Sequence, residues 1–178
     1  MIKKIVVIGG ESTGKSTLCE QLASHYETVW VTEFAREFLE HLGREYVEQD
    51  LLQIAKGQLN AEDEAIIKAN QFLFCDTDLQ VIKVWSDYKY GRCNAWINEQ
   101  ISSRKYDGYI ITSPDFPWQD DPLREHPEPG LRNYFFKLYS EMIAKNGAPY
   151  CIVEGDEEKR LQQAVTFIQT YFNSVNHK

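Results

Sequence analysis

Nine consecutive residues, Gly9-Gly10-Glu11-Ser12-Thr13-Gly14-Lys15-Ser16-Thr17, carry the strongest chemical signal in the chain. They fit G-x-x-x-x-G-K-[ST] at every fixed position. The glycines let the backbone wrap closely around phosphate oxygens. A helix starting at the end of such a loop adds unpaired N–H groups and a favourable dipole. In this loop Lys15 is expected to reach the β- and γ-phosphates of ATP, and the Ser16 hydroxyl to ligate Mg²⁺. A chance glycine turn is the bland alternative, but it leaves unexplained the buried-strand pattern before the motif and the helical spacing after it. The motif stands for a nucleoside triphosphate with Mg²⁺ and does not by itself name the reaction.

Carboxylates at strand ends supply the next candidates. Asp76-Thr77-Asp78 closes an apolar run, where a phosphate-loop protein places its metal-side acid. Asp76 is therefore assigned to Mg²⁺ and its water shell. Asp78 stays open between a helix cap, a substrate ligand and a general base. Glu33 closes another short apolar run and is followed by Phe34-Ala35-Arg36-Glu37. Glu33 can take the proton of an acceptor hydroxyl, and Arg36 can bind phosphate or brace Glu33. An ordinary solvated pair at a helix start reads the same residues more plainly.

Residues 113–130 hold five of the six prolines and include Phe116-Pro117-Trp118-Gln119-Asp120-Asp121-Pro122-Leu123-Arg124. A long structureless loop in a compact domain is commonly functional. As a lid it would bring Arg124 to the transferring phosphate and exclude water, with Trp118 and Asp121, beside Arg36, as candidate acceptor contacts. The bland alternative is a surface loop with Arg124 paired to a neighbouring Asp. Gly155 opens a loop after the last apolar run that is expected beside the adenine, with Asp156 as a helix cap. Residues 88–92, Trp85 and Trp96 are further candidates for contact with substrate, Trp85 as pocket wall, with core packing the plainer reading of both tryptophans.

The elements that must position these residues follow from periodicity. Residues 5–8, 28–32, 72–75, 108–112 and 149–153 read as strands. Residues 14–26, 34–42, 50–70, 79–90, 94–104, 131–145 and 156–172 read as helices, the third interrupted only by Gly57. The aromatics Phe167, Tyr171 and Phe172 of the last helix are expected in the core. This alternation predicts an α/β fold: a five-stranded parallel sheet with helices on both faces and its site at the C-terminal ends of the strands. With 178 residues and no linker or repeat, residues 1–178 are expected to form one domain.

The formal net charge of -8 argues against a non-specific nucleic-acid partner. The first apolar stretch is too short for a signal peptide or a membrane span. Cys19, Cys75, Cys93 and Cys151 show neither a disulfide framework nor zinc spacing, so a cytoplasmic protein with free thiols is expected, Cys75 and Cys151 buried among them. Nothing in the sequence fixes an oligomeric state.

The stretches GGESTGKST, EFAREFLEHLG (33–43), DTD (76–78) and PWQDDPLR (117–124) occur in one order. The ordered set resembles the ribosylnicotinamide kinase domain of NadR-type proteins over nearly the whole chain. The resemblance implies an adenylate-kinase-like phosphate-loop fold that phosphorylates nicotinamide riboside with Mg-ATP. It makes residues 9–16 the ATP cradle, Asp76 and Asp78 the strand-end acids, and residues 117–124 the lid. It also implies a base pocket with an aromatic directly before Glu33 and another on the following long helix. This chain has Thr32 at the first position and Asn60, Ala61 and Glu62 around the second, with Val81 and Ile82 where polar residues follow the D-x-D. Two other readings remain beside a nicotinamide riboside kinase. One is a kinase for a different nucleoside or nucleotide, and the other is a nucleotide-binding regulatory module or ATPase.

Overall fold

The structure, a computed structural model, describes residues 1–172. Five strands form one parallel sheet: β1 (Lys3–Ile8), β2 (Trp30–Val31), β3 (Phe72–Asp76), β4 (Gly108–Thr112) and β5 (Tyr150–Val153), in the order β2-β3-β1-β4-β5. The central strand explains its own composition. Ile5, Val6, Val7 and Ile8 are all fully buried because both faces are covered. Each such side chain contributes about 1.5–3 kcal/mol by leaving water.

Alternation along the strands divides the core into two layers. Ile5, Val7, Phe72, Phe74 and Ile110 pack against α1 (Lys15–His25) and α7 (Glu157–Phe172). Val6, Ile8, Leu73, Cys75 and Ile111 face the opposite layer, where Val81 and Val84 of α4 (Leu79–Tyr90) meet Phe135, Tyr139 and Ile143 of α6 (Pro129–Asn146). A third cluster joins α4 to α2 (Phe34–Leu42), α3 (Glu48–Ala65) and α5 (Ala95–Ser103). Gly57 has a packing reason within α3, since a Cβ there would stand 2.1 Å from the Phe34 ring. The missing side chain lets α2 lie against α3.

Several boundaries differ from the sequence expectation, each for a local reason. The second strand shrinks to Trp30–Val31, since the Thr28 backbone N–H is already committed to the Ala23 carbonyl at the end of α1. Helix α3 starts before Asp50, whose carboxylate accepts the Val47 N–H and pairs with Arg44, and it ends at Ala65. Helix α6 starts at Pro129, a position where the absent N–H costs nothing. Asp156 caps α7 from just outside, accepting the Lys159 N–H at 2.9 Å. Tyr171 is exposed rather than core, and Cys151 is only partly buried. Among the described residues no helix is long and apolar enough to cross a membrane.

Candidate functional site: a phosphate loop under a proline-rich strap

The loop between β1 and α1 is shaped by contacts that leave little choice of residue. A Cβ on Gly9 would stand 2.1 Å from the Thr112 hydroxyl, so only glycine fits beside β4. Gly14 takes φ +76, in the left-handed region, as the residue capping α1. Ser12 also has positive φ. The buried Thr13 hydroxyl contacts the Gly10 carbonyl at 2.8 Å and the Thr112 hydroxyl at 2.7 Å. Lys15 donates back across the loop to the Gly10 carbonyl at 2.9 Å, which holds its ammonium over the concavity.

Strand register brings the acid to the loop. Val7 pairs with Asp76, and the Thr77 N–H donates to the Val7 carbonyl. The Ser16 hydroxyl donates to Asp76 Oδ2 at 2.5 Å, while Oδ1 is buried without a partner. Burial, then the charge of Glu33, raises the Asp76 pKa to about 6 against the opposing pull of Lys15 and Ser16. A carboxylate oxygen with no donor beside a serine hydroxyl is a donor set suited to Mg²⁺ and its water. Glu33 precedes α2 and faces the same space, together with Arg36.

The connection from β4 to α6, residues 113–128, crosses this space and is tied to the loop itself. The Glu11 carboxylate accepts the N–H groups of Glu125 and His126 at 3.0–3.2 Å. Ser12 Oγ donates to the Pro117 carbonyl and accepts the Gln119 N–H. Arg124 reaches Ser12 Oγ at 3.3 Å and the Gln119 carbonyl at 2.5 Å. Asp121 holds Arg36 at 2.6 Å, which spans from α2 to the connection.

These segments line a cleft that stays open to solvent. Its polar end is the whole loop from Gly9 to Thr17, with Glu33, Arg36 and Arg124. Its apolar lining includes Val81 and Trp85 of α4 and Phe135 and Tyr139 of α6, of which the sequence offered only Trp85 as a pocket wall. Arg132 also lines it, donating to the Ser12 and Phe116 carbonyls. Its Nε is buried without a partner, and burial pulls its pKa down. A signal existed for all five. Val81 and Trp85 lie four residues apart, as do Phe135 and Tyr139, and Arg132 falls one turn before Phe135 on a helix. Nothing in the one-dimensional pattern distinguishes that face from an ordinary core face.

Of the expected site residues, Asp78, Gly155, Trp118 and Asp121 do not line the cleft, the last with its carboxylate taken up by Arg36 and the Leu123 N–H. Asp78 caps α4: it accepts the Gln80 backbone and side-chain N–H groups and the Tyr109 hydroxyl, in a polar cluster away from the cleft. Of the three roles left open for it, the geometry supports the cap. Gly155 does not line the cleft, and its N–H is committed to Asp115 at 2.7 Å. Trp118 donates to Asp120 and lies near the guanidinium groups of Arg124 and Arg132, behind the cleft wall.

A parallel sheet with a glycine-rich phosphate loop after its central strand, and a carboxylate on the neighbouring strand end, defines a P-loop NTPase fold. A family model described as an AAA domain matches residues 4–160, and the chain belongs to that family. It is similar to the trifunctional NAD biosynthesis/regulator protein NadR of Escherichia coli (strain K12), at 28% identity over 173 residues, 94% of this chain and 42% of that protein. The chain thus spans about two fifths of the length of this relative. Among solved structures, a NadR protein in complex with NR superposes with a TM-score of 0.82 at 23% identity, over 97% of this chain and 52% of that one. A NadR protein in complex with NAD and AMP-PNP gives 0.79 at 23% identity, over 99% and 51%. Deoxyadenosine kinase from M. mycoides with bound dCTP gives 0.59 at 13% identity, over 94% and 99%.

Proposed function

We propose that this chain is an ATP-dependent kinase domain that transfers the γ-phosphoryl group to a hydroxyl of a small nucleoside-like acceptor, with nicotinamide riboside the first candidate. One observation carries the reading: the phosphate loop, the carboxylate of Glu33 and an apolar wall all line a single cleft, and a segment hydrogen-bonded to the loop crosses it. The similarity to NadR, with its structures in complex with NR and with AMP-PNP, supports the same acceptor and donor.

In this mechanism the loop N–H groups and Lys15 hold the β- and γ-phosphates. Ser16 and Asp76 would hold Mg²⁺, directly and through water, and the ion supplies charge neutralisation on the phosphate oxygens when bound. Glu33 orients the acceptor hydroxyl and takes its proton as it attacks in line. Arg124 and Arg132 come from the crossing segment and the start of α6 to meet charge on the transferring group. The 113–130 segment acts as a lid that keeps water from competing.

The test is a panel of nucleosides offered with Mg-ATP, using Lys15→Ala as the control. ADP release that requires one acceptor supports the kinase. Equal ADP release with and without every acceptor overturns it.

A further inference from the structure

The largest fully buried side chain in the described protein is Arg160 of α7, 2% exposed. A buried guanidinium is costly unless its donors are met. Here each nitrogen has a partner, and the partners come from three different segments. Nε donates to the Gly155 carbonyl at 2.8 Å in the β5–α7 turn. Nη1 donates to the Thr13 carbonyl at 2.6 Å in the phosphate loop. Nη2 donates to the Ser113 carbonyl at 3.1 Å and to Asp115 Oδ1 at 2.5 Å, at the root of the crossing segment. The second Asp115 oxygen accepts the Gly155 N–H, so Asp115 and Arg160 grip both sides of one glycine whose φ is +89. The Phe116 ring lies 4.8 Å from the guanidinium and packs toward Gly14.

The bond to Thr13 has a consequence inside the cradle. In a trans peptide the C=O and the following N–H point in opposite directions. Holding the Thr13 carbonyl toward α7 turns the Gly14 N–H away from α7, toward the concave side of the loop. Gly14 in its left-handed conformation has little intrinsic preference to keep that peptide plane. The Thr13 hydroxyl is fixed separately by Thr112, so this residue is held at both ends.

We propose that Arg160 is a positioning residue for nucleotide binding: it fixes the Thr13–Gly14 peptide plane so that the Gly14 N–H faces the phosphates, and through Asp115 it sets the root of the lid at the same point. The inference rests on the nucleotide reading above and assigns Arg160 of α7 a part in it. An arginine is needed because a lysine ammonium cannot span the Gly155, Thr13 and Ser113 carbonyls at once.

The test uses Arg160→Lys, Arg160→Met and Asp115→Asn in the full chain. Binding of a non-hydrolysable ATP analogue is measured by calorimetry, beside the KM of the acceptor. Arg160→Lys should bind the analogue about 10- to 100-fold more weakly, as expected when a ligand-facing group is misplaced, with acceptor KM within about twofold of wild type. With the analogue bound, hydrogen exchange at the Gly14 amide should be less protected in Arg160→Lys than in wild type. Asp115→Asn, whose side chain is partly exposed, should weaken the analogue roughly two- to tenfold and decides the matter if the Arg160 variants do not fold. The double variant Arg160→Lys/Asp115→Asn should be no weaker than Arg160→Lys alone. A folded Arg160→Lys that binds the analogue like wild type overturns the inference, and so does an equal loss of analogue and acceptor affinity. Wild-type protein that does not bind the analogue at all sinks the nucleotide reading and this inference together.

Discussion

Glu33 and Asp78 are both carboxylates at the ends of apolar runs, yet their surroundings give them different work. Asp78 spends its oxygens on Gln80 and Tyr109, whereas Glu33 faces the cleft and feels Asp76. We predict that Glu33→Gln lowers kcat by about 10²- to 10⁴-fold, the usual range for a lost general base, while ATP affinity holds. Asp78→Asn should keep turnover within a few-fold; its Oδ1 still caps α4, but its amide NH2 would face the Gln80 side-chain N–H where Oδ2 accepted it, so stability should fall by about 1–3 kcal/mol. Steady-state kinetics with calorimetric ATP binding decides the first, and urea unfolding the second. Equal kinetic losses in the two variants would return Asp78 to the site. The sequence could not separate these two acids, because a strand end specifies where a residue sits but not which way its side chain turns. It did specify Lys15 and Ser16, since the motif constrains both the loop shape and the residue types.

Elements couple to one another through side chains that single-element patterns do not reveal. Glu62 of α3 is buried against Lys4 of β1, Arg104 beyond α5, and the Tyr106 hydroxyl, which donates to both its oxygens. Burial raises its pKa from 4.5 to about 7, opposed by Lys4, Tyr106 and Arg104 and assisted by the Asp78 charge. Between those values the folded chain holds a proton that the unfolded chain has lost. Stability from this group is therefore present at low pH and declines as pH rises toward 7. Wild type should lose about 1–3 kcal/mol between pH 5 and pH 8 that Glu62→Gln does not lose, read from denaturant midpoints at the two pH values. The strap offers a second test at this scale. Glu11→Ala removes the acceptor for the Glu125 and His126 N–H groups. With the lid held less firmly, acceptor-independent ADP release should rise by about three- to tenfold, the worth of a lost hydrogen bond or two. No change in uncoupled release would mean that the strap does not guard the phosphates.

At the scale of the whole molecule, a nucleotide that bridges the loop, β3 and the crossing segment ties three parts of the fold into one unit. A non-hydrolysable ATP analogue at a hundred times its Kd should add about 2.7 kcal/mol and raise the melting temperature by roughly 5–10 °C. Lys15→Ala should abolish that rise in the same thermal scan. The sequence by itself determined the alternation of strands and helices, hence the parallel sheet and its order-independent core, because buried β-branched runs and helical spacing are local signals. It also determined the phosphate loop, since Gly9, Gly14, Lys15 and Ser16 are demanded by backbone approach and phosphate charge over a few residues. Only the tertiary structure decided that Gly9 is forced by Thr112, that Val81, Trp85, Phe135 and Tyr139 line the same cleft as the phosphate loop, and that Arg160 reaches Thr13 from 147 residues away. Those relations join distant parts of the chain, and no local periodicity encodes which buried faces will meet across a cleft.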